Sequence, residues 1–378
     1  MSTVLIAPDK FKGSLTATEV ADAVARGVRR SPAGAEATCV QVPVADGGDG
    51  TLAAAVAAGW EHVAVTATGP TGEPVRTGYA RHGDTAVVEL ADVSGLVRIP
   101  QGRLAPLTAS SRGTGELVAA AIDAGCREVV LGIGGSACTD GGAGLLRALG
   151  ADPGPEVPEG GEGLASITRL DLTALRKRLA GVRITVACDV DNPLLGEHGA
   201  AAVYGPQKGA NPDQVATLEA RLTHWADVVA DAVGADLREQ PGAGAAGGVG
   251  FAALAVLDAT LRPGIALVLD LVGFADRLAG ADLVVTGEGA LDEQTLRGKA
   301  PAGVARSAAS AGVPVVAVCG SNALSADRLE QAGIAAAYAL TDLEPDVDRC
   351  LREPVPLLER LGEQLAQTHL SGAAEHAR

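Results

Sequence analysis

The sequence predicts an α/β fold built on parallel sheets, on three observations. Short runs rich in Val, Ile, Leu and Ala recur at 4–7, 38–44, 128–133, 182–188, 282–286 and 313–319, as strands buried on both faces do. Stretches of helical periodicity separate them, the alternation that produces parallel sheets. Each run ends in a Gly/Asp-rich loop, and open parallel sheets gather their ligands beyond the carboxyl ends of their strands. Gly and Asp are also ordinary turn formers, but six such loops in one topological position favour a shared cleft. At 378 residues the chain exceeds what one core organises, so two domains are expected.

The elements follow in order. The first strand, 4–7, enters Pro8-Asp9-Lys10-Phe11-Lys12-Gly13-Ser14. A helix is predicted over 17–30, with Thr16 and Glu19 spaced as a capping box, Val20, Val24 and Val28 as its apolar stripe, and Ser31-Pro32 as its stop. The run 38–44 leads into Ala45-Asp46-Gly47-Gly48-Asp49-Gly50-Thr51 and an Ala-rich helix. Between 66 and 90 the rhythm changes to short alternating strands joined at Gly69-Pro70-Thr71-Gly72-Glu73-Pro74, an antiparallel hairpin. The run 128–133 leads into Gly134-Gly135-Ser136-Ala137-Cys138-Thr139-Asp140, and 182–188 into Asp189-Val190-Asp191-Asn192-Pro193. The Gly-rich run 240–250 reads as a hinge or a backbone anion site before a helix over 252–261. The last two strands are expected to give way to loops at Gly287-Glu288-Gly289 and Gly320-Ser321-Asn322.

Composition excludes several classes. The formal charge of −16 repels phosphate backbones and anionic lipid, so neither nucleic acid nor membrane is an expected partner. The N-terminal stretch shows no leader pattern, and the longest uncharged stretch, 240–257, is too short and too Gly/Ala-rich for a spanning helix. Six scattered cysteines without a Cys-x-x-Cys pair point to reduced thiols in a cytoplasm rather than disulfides or zinc.

Gly132-Ile133-Gly134-Gly135-Ser136-Ala137 fits a dinucleotide fingerprint, but the acid expected about 20 residues on falls in a Pro/Gly-rich loop instead of a strand end. The run remains a sensible phosphate cradle. A Walker A sequence, a protein-kinase signature, a zincin motif and a nucleophile elbow are all missing, and His62, His82, His198, His224, His369 and His376 stand apart from one another. What remains is carboxylate, lysine and backbone amide. Asp9, Asp46, Asp140, Asp189, Asp191, Glu288 and Asp292 fall just past predicted strands, and Lys10, Lys12, Lys208 and Lys299 lie in similar loops of a chain whose basic residues are mostly Arg. Phosphoryl transfer calls for this combination: amides and Lys neutralise charge, one carboxylate holds magnesium and another takes the hydroxyl proton.

Seven blocks in order carry a resemblance: APDKFKGSL (7–15), VADGGDGT (44–51), GIGGSACTDGGAG (132–144), ACDVDNPLLG (187–196), YGPQKGA (204–210), GAGAAGGVG (242–250) and TGEGALDEQTLRGKAP (286–301). The chain resembles the bacterial glycerate kinase family of type-1 over nearly its whole length. The resemblance implies two Rossmann-like or flavodoxin-like α/β domains around a central cleft, one inserted in the other. The expected boundaries are 1–85 with 281–378 for one domain and 86–280 for the other. It implies ATP and Mg2+ as cofactors, phosphorylation of D-glycerate at the 2-hydroxyl in glyoxylate or sugar-acid breakdown, and room for a homodimer.

Carried onto this sequence, the resemblance makes Asp189, Lys12 and Asp191 the catalytic candidates, with Asp189 or Asp191 on the metal. Asp9, Lys10, Ser14, Asp46, Gly47, Gly48, Gln207 and Lys208 are the substrate candidates. Gly134, Gly135, Ser136, Thr139, Asp140, Glu288, Asp292 and Lys299 are those for nucleotide and phosphate. The chain departs from the family pattern at Cys138-Thr139, where Thr-Asn is usual, at Ala290, where Arg is usual, and mildly at Asp49; Arg112 or Arg297 would then replace the missing Arg. The rival readings are phosphorylation at the 3-hydroxyl, a dinucleotide-linked hydroxy-acid oxidoreductase, a phosphatase and a non-catalytic metabolite sensor.

Overall fold

The computed structural model describes residues 2–100, 103–154 and 157–371, without the side chain of Arg297. In chain order the strands are β1 (Thr3–Pro8), β2 (Thr38–Gln41), β3 (Glu61–Thr68), β4 (Pro74–His82), β5 (Thr85–Glu89), β6 (Glu128–Gly132), β7 (Arg183–Ala187), β8 (Thr260–Arg262), β9 (Leu283–Leu291), β10 (Val315–Asn322) and β11 (Ala336–Ala339). They form two sheets in an α/β architecture, and each sheet belongs to its own compact unit.

The first unit comprises the chain up to Asp46, Ala53–Gly59, and everything from Ile265 onward. Its sheet has the order β11-β10-β9-β1-β2 with every pair parallel. Counted within the unit this is the flavodoxin order, whose strand direction of progress reverses between β1 and β9. Both faces are covered, which explains the unbroken apolar runs. Val4 and Ile6 pack with Val20, Val24 and Val28 of helix Ala17–Arg30, while Leu5 and Ala7 face Ile265, Phe274 and Val304. The capping box is present: Thr16 Oγ1 accepts the Glu19 N–H, and the Glu19 carboxylate accepts the Thr16 N–H. Helix Pro354–Leu370 lies against helix Ala17–Arg30, with Gly27 and Gly362 at the close approach.

Two loop expectations are corrected here. Gly287-Glu288-Gly289 continues β9 and Gly320-Ser321-Asn322 continues β10, paired through Cys319–Glu288, Ser321–Ala290 and Asn322–Leu291. Glycine serves close backbone approach rather than a turn: a Cβ on Gly320 would lie 2.5 Å from the Gly289 carbonyl oxygen.

The second unit comprises Gly47–Leu52 and Trp60–Gly264. Residues 60–85 thus go with it and 265–280 with the first unit, whereas the sequence expectation divided the chain after 85 and 280. The reason is pairing and packing. β3 and β4 are joined to β5 in one sheet, and Ile265, Val268 and Phe274 fill the core under β1 and β9. The sheet order is β3-β4-β5-β6-β7-β8, antiparallel from β3 to β5 and parallel from β5 to β8. The hairpin closes where expected, with the Gly69 N–H donating to the Glu73 carbonyl at 2.7 Å.

The helix expected over 252–261 ends early. Helix Ala245–Ala255 stops, Asp258 turns the backbone at φ 52°, and Thr260–Arg262 becomes β8 against β7. The Gly-rich run before it is packed inside rather than free at the surface. Ala243, Ala245, Gly247 and Gly248 are buried, and Gly247 O accepts the Gly141 N–H at 2.9 Å. The Gly244 and Ala245 amides donate inward to Asn192 and Gly242. Among the described residues no helix is long and apolar enough to cross a membrane.

Ala246 holds a left-handed backbone, φ 53° and ψ 37°, inside this buried run. That conformation costs an L-residue about 1–2 kcal/mol, of which glycine forfeits roughly 0.5–1 through unfolded-state entropy. Ala246→Gly is therefore expected to stabilise the protein by up to about 1 kcal/mol, and Ala246→Val to destabilise it, as urea midpoints will read.

Candidate functional site

In the first unit the reversal between β1 and β9 gathers acids. Pro8 pairs with Gly287, so Asp9 and Glu288 follow side by side at the carboxyl edge, and the Asp9 N–H donates to the Gly287 carbonyl at 2.8 Å. Asp9 is 7% exposed and its Oδ1 accepts the Lys10 N–H at 2.6 Å. Burial pushes its carboxyl up to about 7; Lys10 opposes this, while Asp46 and Glu288 add to it. Glu288 is also raised, by burial first, against a hydrogen bond from Thr295 Oγ1 and the Lys299 ammonium 3.8 Å from its Oε2. Asp292 shapes the adjoining turn: its Oδ1 accepts the Gln294 and Thr295 N–H groups at 2.7 and 3.2 Å.

Residues 9–15 fold back in a tight turn, with Phe11 bridged to Leu15 and Gly13 at φ 80°. Lys12 stands exposed on it. Ser14 is engaged elsewhere, donating from Oγ to the Leu351 carbonyl at 3.1 Å.

In the second unit the 47–50 loop crosses the carboxyl ends of all four parallel strands. Gly47, at φ 89°, sits so close to the ends of β7 and β8 that a Cβ would lie 2.7 Å from Ala187 Cβ and 2.6 Å from Gly264 Cα. A Cβ on Gly132, which ends β6, would lie 2.7 Å from Gly47 O, and one on Gly134 the same distance from Gly48 Cα. At β5, Glu89 accepts the Gly50 and Leu52 N–H groups. Sequence reasoning did not single out Glu89. Asp189 leaves β7 beside this loop, and its Oδ1 accepts the Gly264 N–H at 2.8 Å. Asp191 is exposed, and the Asn192 side chain ties the following segment to His198 O and Tyr204 OH.

The other expected residues of this unit divide by burial. Gly135 is exposed at φ 74° and Ser136 is largely covered beside it. Asp140 is fully buried: Oδ2 accepts from the Ser111 N–H, the Ser111 hydroxyl and the Gly144 N–H, and Oδ1 from the Gly142 N–H. Burial raises its carboxyl against those donors. Lys208 is 1% exposed and donates to the Cys138 carbonyl at 2.5 Å; burial lowers its ammonium, opposed by Cys138 and Asp140. Thr139 Oγ1 is buried beside them with no hydrogen-bond partner, and Gln207 is exposed. Arg112 is bound to Glu116 and Glu159 at 2.8 and 3.1 Å, so its guanidinium is already engaged. The Arg297 side chain and His376 lie outside the described residues.

The dinucleotide fingerprint lacks its helix. After β6 and Gly134-Gly135-Ser136 the chain stays irregular until Ala143, where helix Ala143–Ala148 begins behind Gly142 at φ 76°. A pyrophosphate on that motif needs the helix to open within it.

The elevation of Asp9 has a sign that can be checked. Below pH 3.8 both folded and unfolded forms are protonated, and between there and about 7 only the unfolded chain releases its proton, so stability falls as pH rises. Asp9→Asn removes that loss. The variant is expected to gain on the parent as pH goes from 4 to 8, by up to about 4 kcal/mol in urea unfolding.

The comparisons agree with this architecture. The glycerate kinase family model matches residues 4–370. The glycerate kinase of Bacillus subtilis (strain 168) is 43% identical over 370 residues, covering 96% of each chain. The glycerate 2-kinase of Escherichia coli (strain K12) is 41% identical over 373 residues, covering 97% of each. A crystal structure of a protein assigned as glycerate kinase 2 from Salmonella typhimurium LT2 superimposes with a TM-score of 0.84 at 40% identity, over 99% of both chains. On a match of that extent, this chain belongs to the glycerate kinase family.

Proposed function

We propose that this chain transfers the terminal phosphoryl group of ATP to the 2-hydroxyl of D-glycerate, giving ADP and 2-phosphoglycerate. The observation that carries the reading is the family match over 4–370, with a relative named glycerate 2-kinase at 41% identity. All six cysteines are free thiols, which suits a reducing compartment such as the cytoplasm.

Phosphoryl transfer needs positioning and charge neutralisation more than covalent chemistry. In the second unit, the amides of Gly47, Gly48, Gly134, Gly135 and Ser136 are assigned to anionic groups, and exposed Gln207 to substrate. Asp189, held by Gly264 at the end of β7, takes the hydroxyl proton. Magnesium in kinases is held by one or two carboxylates together with substrate phosphates. Asp189 and Asp191, two residues apart and exposed, fit that usage; among the described residues no group of three His, Cys, Asp or Glu could hold a metal alone. Bound there, the ion would neutralise charge on the transferred group. Lys208 and Asp140 are buried and bonded to Cys138, Gly142 and Gly144, so their role is to hold the 134–142 loop from behind.

In the first unit, Lys12 and Lys299 supply positive charge, with Lys10, Asp46 and Glu288 around Asp9 and Asp292 beside Glu288. A carboxyl near 7 suits proton exchange at neutral pH, so Asp9 is the second reading for the base.

A coupled assay with ATP and D-glycerate, with NMR of the product, tests the reaction: 3-phosphoglycerate would move the acceptor to the other hydroxyl, and no ADP would reject the kinase. Lys12→Ala is expected to lower kcat/KM about 30- to 150-fold through loss of a charge-assisted contact. Asp189→Asn is expected to lower kcat at least ~100-fold in a folded protein. Near-normal kcat there, with Asp9→Asn abolishing the acid limb of the pH profile, would transfer the base role to Asp9.

A further inference from the structure

Glu89 belongs to no block that carries the family resemblance, yet it stands where the 47–50 loop meets β5. The residue is 4% exposed and ends its strand, paired with Gly132 of β6. Its Oε2 accepts the backbone N–H of Gly50 at 3.1 Å and of Leu52 at 2.9 Å. The loop also lies close on its neighbours, Gly47 on Ala187 and Gly264 and Gly48 on Gly134, and the Thr51 hydroxyl donates to the Gly48 carbonyl at 2.7 Å. The carboxylate adds directional bonds at the loop's far end, just as the chain turns into helix Thr51–Ala57. Burial raises the Glu89 carboxyl to about 7; the Leu52 and Gly50 amides oppose this and Asp49 and Asp92 add to it. Either protonation state still offers an acceptor oxygen to the two amides.

We propose that Glu89 is a positioning residue for the glycerate-binding face of the 47–50 loop, holding the loop amides in place without touching the substrate. The inference rests on the glycerate kinase reading and on the assignment of Gly47 and Gly48 to substrate. An acid whose task is to accept two amide hydrogens is replaceable by an amide oxygen, and one that works by charge is not.

The test compares Glu89→Gln, Glu89→Ala and Glu89→Asp in the full-length chain, with Gly47→Ala beside them. Gln keeps an acceptor at the same reach, Ala removes it, and Asp falls short by one methylene. In Glu89→Ala, kcat/KM for D-glycerate is expected to fall about tenfold or more while KM for ATP stays within about twofold. Glu89→Gln should stay within about threefold of the parent on both. Hydrogen exchange of residues 47–52 should quicken in Glu89→Ala and not in Glu89→Gln, with the rest of the second unit protected as before. If Glu89→Ala fails to fold, Glu89→Asp carries the same readouts. Equal losses toward both substrates, or equal losses in Glu89→Gln and Glu89→Ala, overturn the proposal. If Gly47→Ala is disabled while folded Glu89→Ala or Glu89→Asp behaves like the parent, the loop assignment stands and the role of Glu89 falls. Normal kinetics in folded Gly47→Ala instead remove the loop assignment itself, and the proposal with it.

Discussion

Backbone laid directly on backbone is the constraint on which the second unit depends. The 47–50 loop can run across the ends of β5, β6, β7 and β8 only because Gly47, Gly132 and Gly134 carry no side chain where they meet. A methyl group at Gly132 or Gly134 would fall 2.7 Å from the loop, well inside contact. The same device recurs where the 134–142 segment meets the 242–250 run: a Cβ on Gly248 would lie 2.7 Å from Gly141 Cα. Part of the glycine content, fifty in 378 residues, falls where strand ends must stay uncluttered, while Gly59, Gly72 and Gly181 occupy open turns at positive φ. The cost is conformational entropy in the unfolded chain, and the sheets beneath, covered on both faces, offset it.

Charge is managed differently in the two units. The first collects carboxylates at the strand reversal, and burial, aided by their mutual repulsion, raises Asp9 and Glu288, so this edge favours a cation or a shared proton. The second buries one acid outright, and Asp140 survives there because four donors converge on its two oxygens. Asp140 ties the start of helix Arg112–Asp123 to the loop after β6, a scaffold function for a residue whose sequence context suggested ligand contact.

Much of this was legible in the sequence, and the exceptions have physical causes. Parallel strands buried on both faces leave unbroken apolar runs, and glycine loops at their ends leave composition, so the sheets and the loops after β1, β6 and β7 were readable. Gly287-Glu288-Gly289 read as a loop because glycine breaks strands on average; here it relieves crowding between β9 and β10. Leu261 continued a helical apolar spacing, and nothing in the residue names announced the reversal at Asp258 that makes it part of β8. The direction of a lone side chain is the hardest property to read. Lys208 in a polar loop looks like a ligand contact until its ammonium is seen against the Cys138 carbonyl, and Glu89, at the end of a short strand, carries no pattern at all.

The burial of Lys208 has a consequence for chemical footprinting. The chain has five lysines, at 10, 12, 177, 208 and 299. Lys12 and Lys177 are exposed and Lys10 and Lys299 half-buried, whereas Lys208 is 1% exposed with its nitrogen on a carbonyl. Of the five lysines, an amine-selective acylating reagent would therefore find four in the native protein and the fifth only after the second unit opens. The rate at which that last amine becomes labelled would be a clock for opening of this one unit, read without any engineered probe.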